Sequence, residues 1–138
     1  MKNSKERLKL IAKLNEHEIE IVKVFGPHAN LLYRELVNAF ESSSWASVII
    51  LSSTIVDIVI YEDSEFNSKI DALSKNKIFS SKNLYWLRNR RNSIVHYEGV
   101  TDGLLGGISD LRILEEDAKK SLNILLTLID NIFSLIEI

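Results

Sequence analysis

Trp45-Ala46-Ser47-Val48-Ile49-Ile50-Leu51-Ser52-Ser53-Thr54-Ile55-Val56-Asp57-Ile58-Val59-Ile60-Tyr61 is a 17-residue run that carries a single charge. Its length approaches the ~20 apolar residues of a membrane span, but Ser52, Ser53, Thr54 and Asp57 would then lie in hydrocarbon, where such groups are costly. The run instead predicts the central helix of a bundle, apolar nearly all round because neighbours surround it. Ser47, Thr54, Asp57 and Tyr61 follow one another at steps of seven, three and four. They therefore form one stripe, which must face something polar or a solvent cavity.

Outward from this run, apolar residues recur at three- and four-residue steps, which predicts an all-α chain. A first, highly charged helix runs from about Lys5 to Phe25 and is stopped by Gly26-Pro27. A second runs from about His28 to Glu41, and Ser42-Ser43-Ser44 interrupts it, with Ser44 placed to cap the central helix. A short helix is expected at about 65–75 and another over about 82–97, ended by the glycine-containing turn between Gly99 and Gly107. Glu115-Glu116-Asp117 suit a helix N-terminus, so the last helix is expected from there to Ile136. The whole reads as one domain over 1–138, an up-and-down bundle of five to six helices.

The 138 residues are 46% apolar, with no Cys and a net charge of −2. A chain of this size supports a core without metal or disulfide staples, and the lack of Cys removes thiolate zinc sites and cysteine nucleophiles. Charge and hydrophobe alternate after Met1–Arg7, unlike the apolar core of a signal peptide, so a cytoplasmic protein is expected. No phosphate-loop, His-Glu-x-x-His, Asp-x-Asp or Gly-x-Ser-x-Gly motif occurs. NTPase, zinc-protease, two-metal nuclease and serine-hydrolase readings therefore lack their signatures, and no metal or cofactor is expected.

The charge is unevenly spread. Between Ala72 and Tyr97, Lys75, Lys77, Lys82, Arg88, Arg90 and Arg91 stand without any acidic residue, +6 against −8 for the remainder. A solvated basic face would explain this, and so would a local anion site, for which arginine forks suit phosphate. On a helix, Leu84, Leu87, Ile94 and Val95 define an apolar face with Arg91 near its centre. Arginine is almost never buried without a partner, and Asp57, the only charge on the central helix, is the natural one. That pair could serve register alone, or it could orient Arg91 or His96 for chemistry.

The segment Leu87-Arg88-Asn89-Arg90-Arg91-Asn92-Ser93-Ile94-Val95-His96 resembles the signature of HEPN (higher eukaryotes and prokaryotes nucleotide-binding) domains: an Arg followed by a polar residue, then a His after a short gap. Arg91, Asn92 and His96 match it with a four-residue gap. The apolar helix with its mid-helix acid, the basic connector, the motif helix, the turn and the last amphipathic helix repeat the order of elements in such domains, over about Ser44 to Ile136. The resemblance implies a helical bundle that dimerises, often with the motif helices meeting at a shared cleft. Many members are metal-independent endoribonucleases acting as toxins or antiviral-defence effectors, while others are non-catalytic binding modules. In toxins partnered with a nucleotidyltransferase antitoxin, a Tyr two residues after the His is modified. Here Tyr97 follows His96 directly and Glu98 holds that position, so the modification is not carried over.

Metal-free RNA cleavage needs a base for the 2′-hydroxyl, an acid for the 5′-oxygen and a cation for the phosphate. Histidine, with a pKa near ~6.5, suits both proton roles and arginine suits the phosphate. Each chain offers one motif histidine, since His17 and His28 are expected at the surface or at helix caps. A homodimer would bring two copies of His96 into one cleft. The expected roles are His96 as base or acid, Arg91 on the phosphate, Asn92 orienting either, and Asp57 supporting Arg91. Arg88, Arg90, Lys75, Lys77 and Lys82 would track the RNA backbone, and Tyr85 and Tyr97 could stack on an unpaired base. Trp86 and Arg90, four apart, could stack as a surface cation–π pair. The alternatives are a non-catalytic dimer that binds a nucleotide, RNA or partner protein, and an antitoxin or immunity protein that neutralises a basic partner. An enzyme of the first kind would itself answer to an antitoxin or regulatory protein.

Overall fold

Glycine and serine punctuation divides the chain where the sequence places it. The computed structural model describes residues 2–61, 81–96, 101, 103–107 and 109–136. Five α-helices occupy them: α1 (Lys2–Val24), α2 (Gly26–Glu41), α3 (Trp45–Tyr61), α4 (Lys82–Val95) and α5 (Asp110–Ile136). No strand occurs among the described residues. The helix expected at about 65–75 and the link that follows it, as far as residue 80, lie outside them.

The α1–α2 corner is made by Gly26 in the left-handed region at φ 85°, followed by Pro27 in the first turn of α2. There proline's missing N–H costs no hydrogen bond. The α2–α3 corner closes without glycine. Ser43 adopts φ 61°, the Ser44 N–H donates to the Ala39 carbonyl at 2.8 Å, and the Ser43 N–H donates to Phe40 at 3.2 Å. This is the Schellman pairing of a helix C-terminus. Arg7 of α1 reaches across to donate to the Ser43 hydroxyl and to the Glu41 carbonyl, a cation placed at the negative end of α2. Ser44 sits at the expected cap position of α3, where its carbonyl accepts the Val48 N–H at 3.0 Å and its hydroxyl pairs with that of Ser42.

α3 is the central helix, packed chiefly against α2, α4 and α5. It buries Val48, Ile49, Ile55, Val56 and Val59, together with Ser52 and Ser53. Facing it, α5 contributes Ala118, Leu122, Leu125, Leu126, Ile129 and Ile132, and α2 contributes Tyr33, Leu36 and Phe40. α1 closes the far side through Leu10 and Leu14. No described helix is long and apolar enough to cross a membrane. The fully buried Tyr33 hydroxyl donates to the Leu14 carbonyl at 2.5 Å and ties α2 to α1. Tyr33→Phe is expected to cost about 1 kcal/mol, seen in thermal unfolding as a fall in Tm of about 3–5 °C.

Two local readings change. α5 starts at Asp110, before Glu115, because the Asp110 carboxylate accepts the Gly106 and Gly107 N–H groups at 2.5 and 2.8 Å and fixes the turn against the first helical residue. His17 is not at the surface or a cap. It is 6% exposed, with Nδ1 2.8 Å from the Lys13 carbonyl and Nε2 2.6 Å from Asp130 Oδ1 on α5. Both ring nitrogens face oxygens, which a doubly protonated ring satisfies. Removing that buried, charge-assisted tie in His17→Ala is expected to lower the unfolding free energy by about 2–3 kcal/mol in urea titration. His28 is exposed near the start of α2, in keeping with its expected position.

Candidate functional site

α4 carries the basic motif, and its first residue is set by Ser81, whose hydroxyl accepts the Leu84 N–H at 3.2 Å. Leu87 anchors the helix in the core at 1% exposure, with Leu84 and Ile94 half-buried beside it. This anchoring turns Arg88 and Arg91 toward α3. There Asp57 receives both: Arg91 Nη1 lies 2.7 Å from Oδ2 and Arg88 Nη2 3.2 Å from Oδ1. Arg91 also donates through Nη2 and Nε to Asn92 Oδ1, at 3.1 and 3.3 Å. Arg88 Nη2 lies 3.5 Å from the Tyr61 hydroxyl.

The polar stripe on α3 thus divides. Asp57 and Tyr61 meet the arginines, Thr54 bonds back to the Ile50 carbonyl at 2.9 Å, and Ser47 is exposed. Two guanidinium groups against one carboxylate leave a formal charge of +1 at the α3–α4 seam. Arg88 is held more firmly protonated than a free arginine: the Tyr61 hydrogen bond is the largest cause, burial opposes it, and the Asp57 hydrogen bond and charge add to it.

His96 is the C-cap of α4, and its backbone has left the helix at φ −113°, ψ 124°. Its N–H still donates to the Asn92 carbonyl at 2.9 Å, but the imidazole is exposed and without a hydrogen-bond partner among the described residues. No hydrogen bond joins the Asn92 side chain to the imidazole. The Asn92 amide oxygen is occupied by Arg91 instead.

Arg90 points the other way. Its side chain is 9% exposed, with Nε 2.7 Å from Asp117 Oδ2 on α5 and Nη1 3.0 Å from Ser93 Oγ and 3.3 Å from Thr101 Oγ1. A Cβ at Gly103, whose φ is 85°, would stand 2.9 Å from Arg90 Nη2. Arg90 therefore clamps α4, α5 and the turn after His96, and its guanidinium does not lie at the surface where RNA would run. Asp117, read from sequence as an N-terminal helix charge, is the partner that draws it inward. The cation over Trp86 is Lys120 of α5, 4.0 Å from the ring centroid. Lys82 is exposed at the start of α4, whereas Lys75, Lys77 and Tyr97 lie outside the described residues.

Among the described residues no group of three His, Asp or Glu gathers as metal ligands would. Compared with protein-family models, with curated proteins and with solved structures, the chain matches none. Fold and site together define an all-α bundle in which one carboxylate on the central helix holds two arginines of its neighbour, the nearer of them five residues before an exposed histidine.

Proposed function

We propose that the protein is a HEPN-type, metal-independent endoribonuclease that cleaves single-stranded RNA at a site completed by a second copy of the chain. It would act in the cytoplasm as a toxin or antiviral-defence effector, under the control of an antitoxin or regulatory protein. The observation that carries this reading is the Asp57–Arg91–Asn92 array followed, at the end of the same helix, by the exposed His96. Asp57 and Asn92 use one edge and part of another of the Arg91 guanidinium, which fixes its orientation beforehand and leaves N–H groups for phosphate oxygens. One His96 takes the 2′-hydroxyl proton, the 2′-oxygen attacks the phosphorus, and the 5′-oxygen leaves with a proton from the second His96. The products are a 2′,3′-cyclic phosphate and a 5′-hydroxyl.

The test is incubation of the full chain with single-stranded RNA in EDTA, with end-group analysis of the fragments. Fragments with other ends, or none, would count against the proposal. The half-buried pairing of Arg91 with Asp57, with His96 turned outward, supports a second reading: a non-catalytic dimer or antitoxin-like module in which the pair serves register. RNA binding without cleavage, or a complex with a basic protein partner, would favour it.

A further inference from the structure

A pocket of about 180 Å³ opens between α3 and the first two turns of α4, beside the Asp57–Arg91 array. Its walls are apolar where Val56, Ile60, Leu84 and Leu87 line it, and Tyr85, a residue 73% exposed, lines it as well. Its polar side is formed by Asp57 and Arg88, with Ser53 and Ser81 also in the lining. The volume lies below the roughly 300–1,000 Å³ of pockets for drug-sized ligands, so it suits one ring system with the remainder of the ligand outside.

The polar groups select the ring. Each Asp57 oxygen already accepts from a guanidinium, whereas Nε and Nη1 of Arg88 carry no hydrogen bond among the described residues. The free N–H groups of Arg88 fit a carbonyl edge. Tyr85 supplies a face for stacking, which is sequence-tolerant by itself. Asp57 joins the two places: one oxygen faces the pocket's Arg88 and the other holds Arg91.

We propose that this pocket is a base-binding subsite that takes a keto nucleobase, guanine or uracil, stacked on Tyr85 and read by Arg88, with its phosphate toward Arg91. The assignment rests on the RNA reading of the Asp57–Arg91 array and adds to it a preference among bases.

The experiment is an amide NMR titration of the full chain with 5′-GMP, UMP, AMP and CMP, with RNA cleavage assayed in parallel. GMP or UMP is expected to shift the Ile60, Leu84, Tyr85 and Arg88 amides and to bind about 10-fold more tightly than AMP or CMP. The GMP and UMP arms separate a purine from a pyrimidine occupant. Tyr85→Ala is expected to weaken binding about 5- to 150-fold, and Arg88→Gln to bring the four nucleotides close to equal affinity. Both positions are exposed, so the fold is retained. Absence of shifts at millimolar nucleotide, equal binding of all four by the parent chain, or indifference to both substitutions would overturn the subsite. Shifts without RNA cleavage support the subsite and count against the enzymatic reading alone. Cleavage without shifts does the reverse.

Discussion

Asp117→Ala is expected to lower the unfolding free energy by about 3 kcal/mol or more, measured by urea or thermal unfolding. The reason is the state in which it leaves Arg90. That guanidinium is 9% exposed and bonded to Asp117 at 2.7 Å, with the Ser93 and Thr101 hydroxyls also within hydrogen-bond reach. Breaking a buried pair from one side typically costs about 3–5 kcal/mol because the remaining charge is uncompensated. The two hydroxyls and the partial exposure of Asp117 place this pair toward the lower end. Replacing both residues, as in Arg90→Met with Asp117→Leu, removes the charge along with its partner and is expected to recover much of the loss. If the single and the double variants were equally destabilised, packing rather than charge would be the cause.

His96→Ala is expected to reduce metal-free RNA cleavage by about 10²-fold or more, the usual worth of a positioned proton-transfer group. Arg91→Ala is expected to cost about 10²–10³-fold, the usual worth of a preorganised donor to a developing negative charge. Stability separates the two. His96 is exposed and unpartnered among the described residues, so its variant should unfold as the parent does. Arg91→Ala releases Asp57 from one of its two arginines and should show a modest loss of stability as well. Mixing parent with His96→Ala chains tests the shared cleft: if each cleavage uses both copies of His96, mixed dimers are inactive and cleavage falls faster than the fraction of parent chain. Full activity of either single variant would end the enzymatic proposal.

These two pairs also show how far a linear reading reaches. Asp57 and Arg91 could be matched from sequence because each was anomalous in its surroundings, a lone acid on an apolar helix and an arginine on an apolar face. Arg90 carried no such mark. It stood one residue from Arg91 in a basic run, and its partner Asp117 lay in an acidic cluster that also suited a helix start. His17 and Asp130 are separated by 113 positions and were each plausible surface residues by type.

What the amino-acid sequence determined by itself is the helical architecture: a central apolar α3, corners at Gly26-Pro27 and Ser42–Ser44, and a basic α4 anchored by Leu87. These follow from hydrophobic period, left-handed turn positions and caps, which act within a few residues of one another. Only the tertiary structure decided that Arg88 joins Arg91 on Asp57 and that Arg90 is buried against α5. It likewise decided that His17 joins α1 to α5, and that the Asn92 amide oxygen meets Arg91. Successive residues on a helix point about 100° apart, so Arg90 and Arg91 meet different neighbours. Which neighbours those are depends on how separate helices pack.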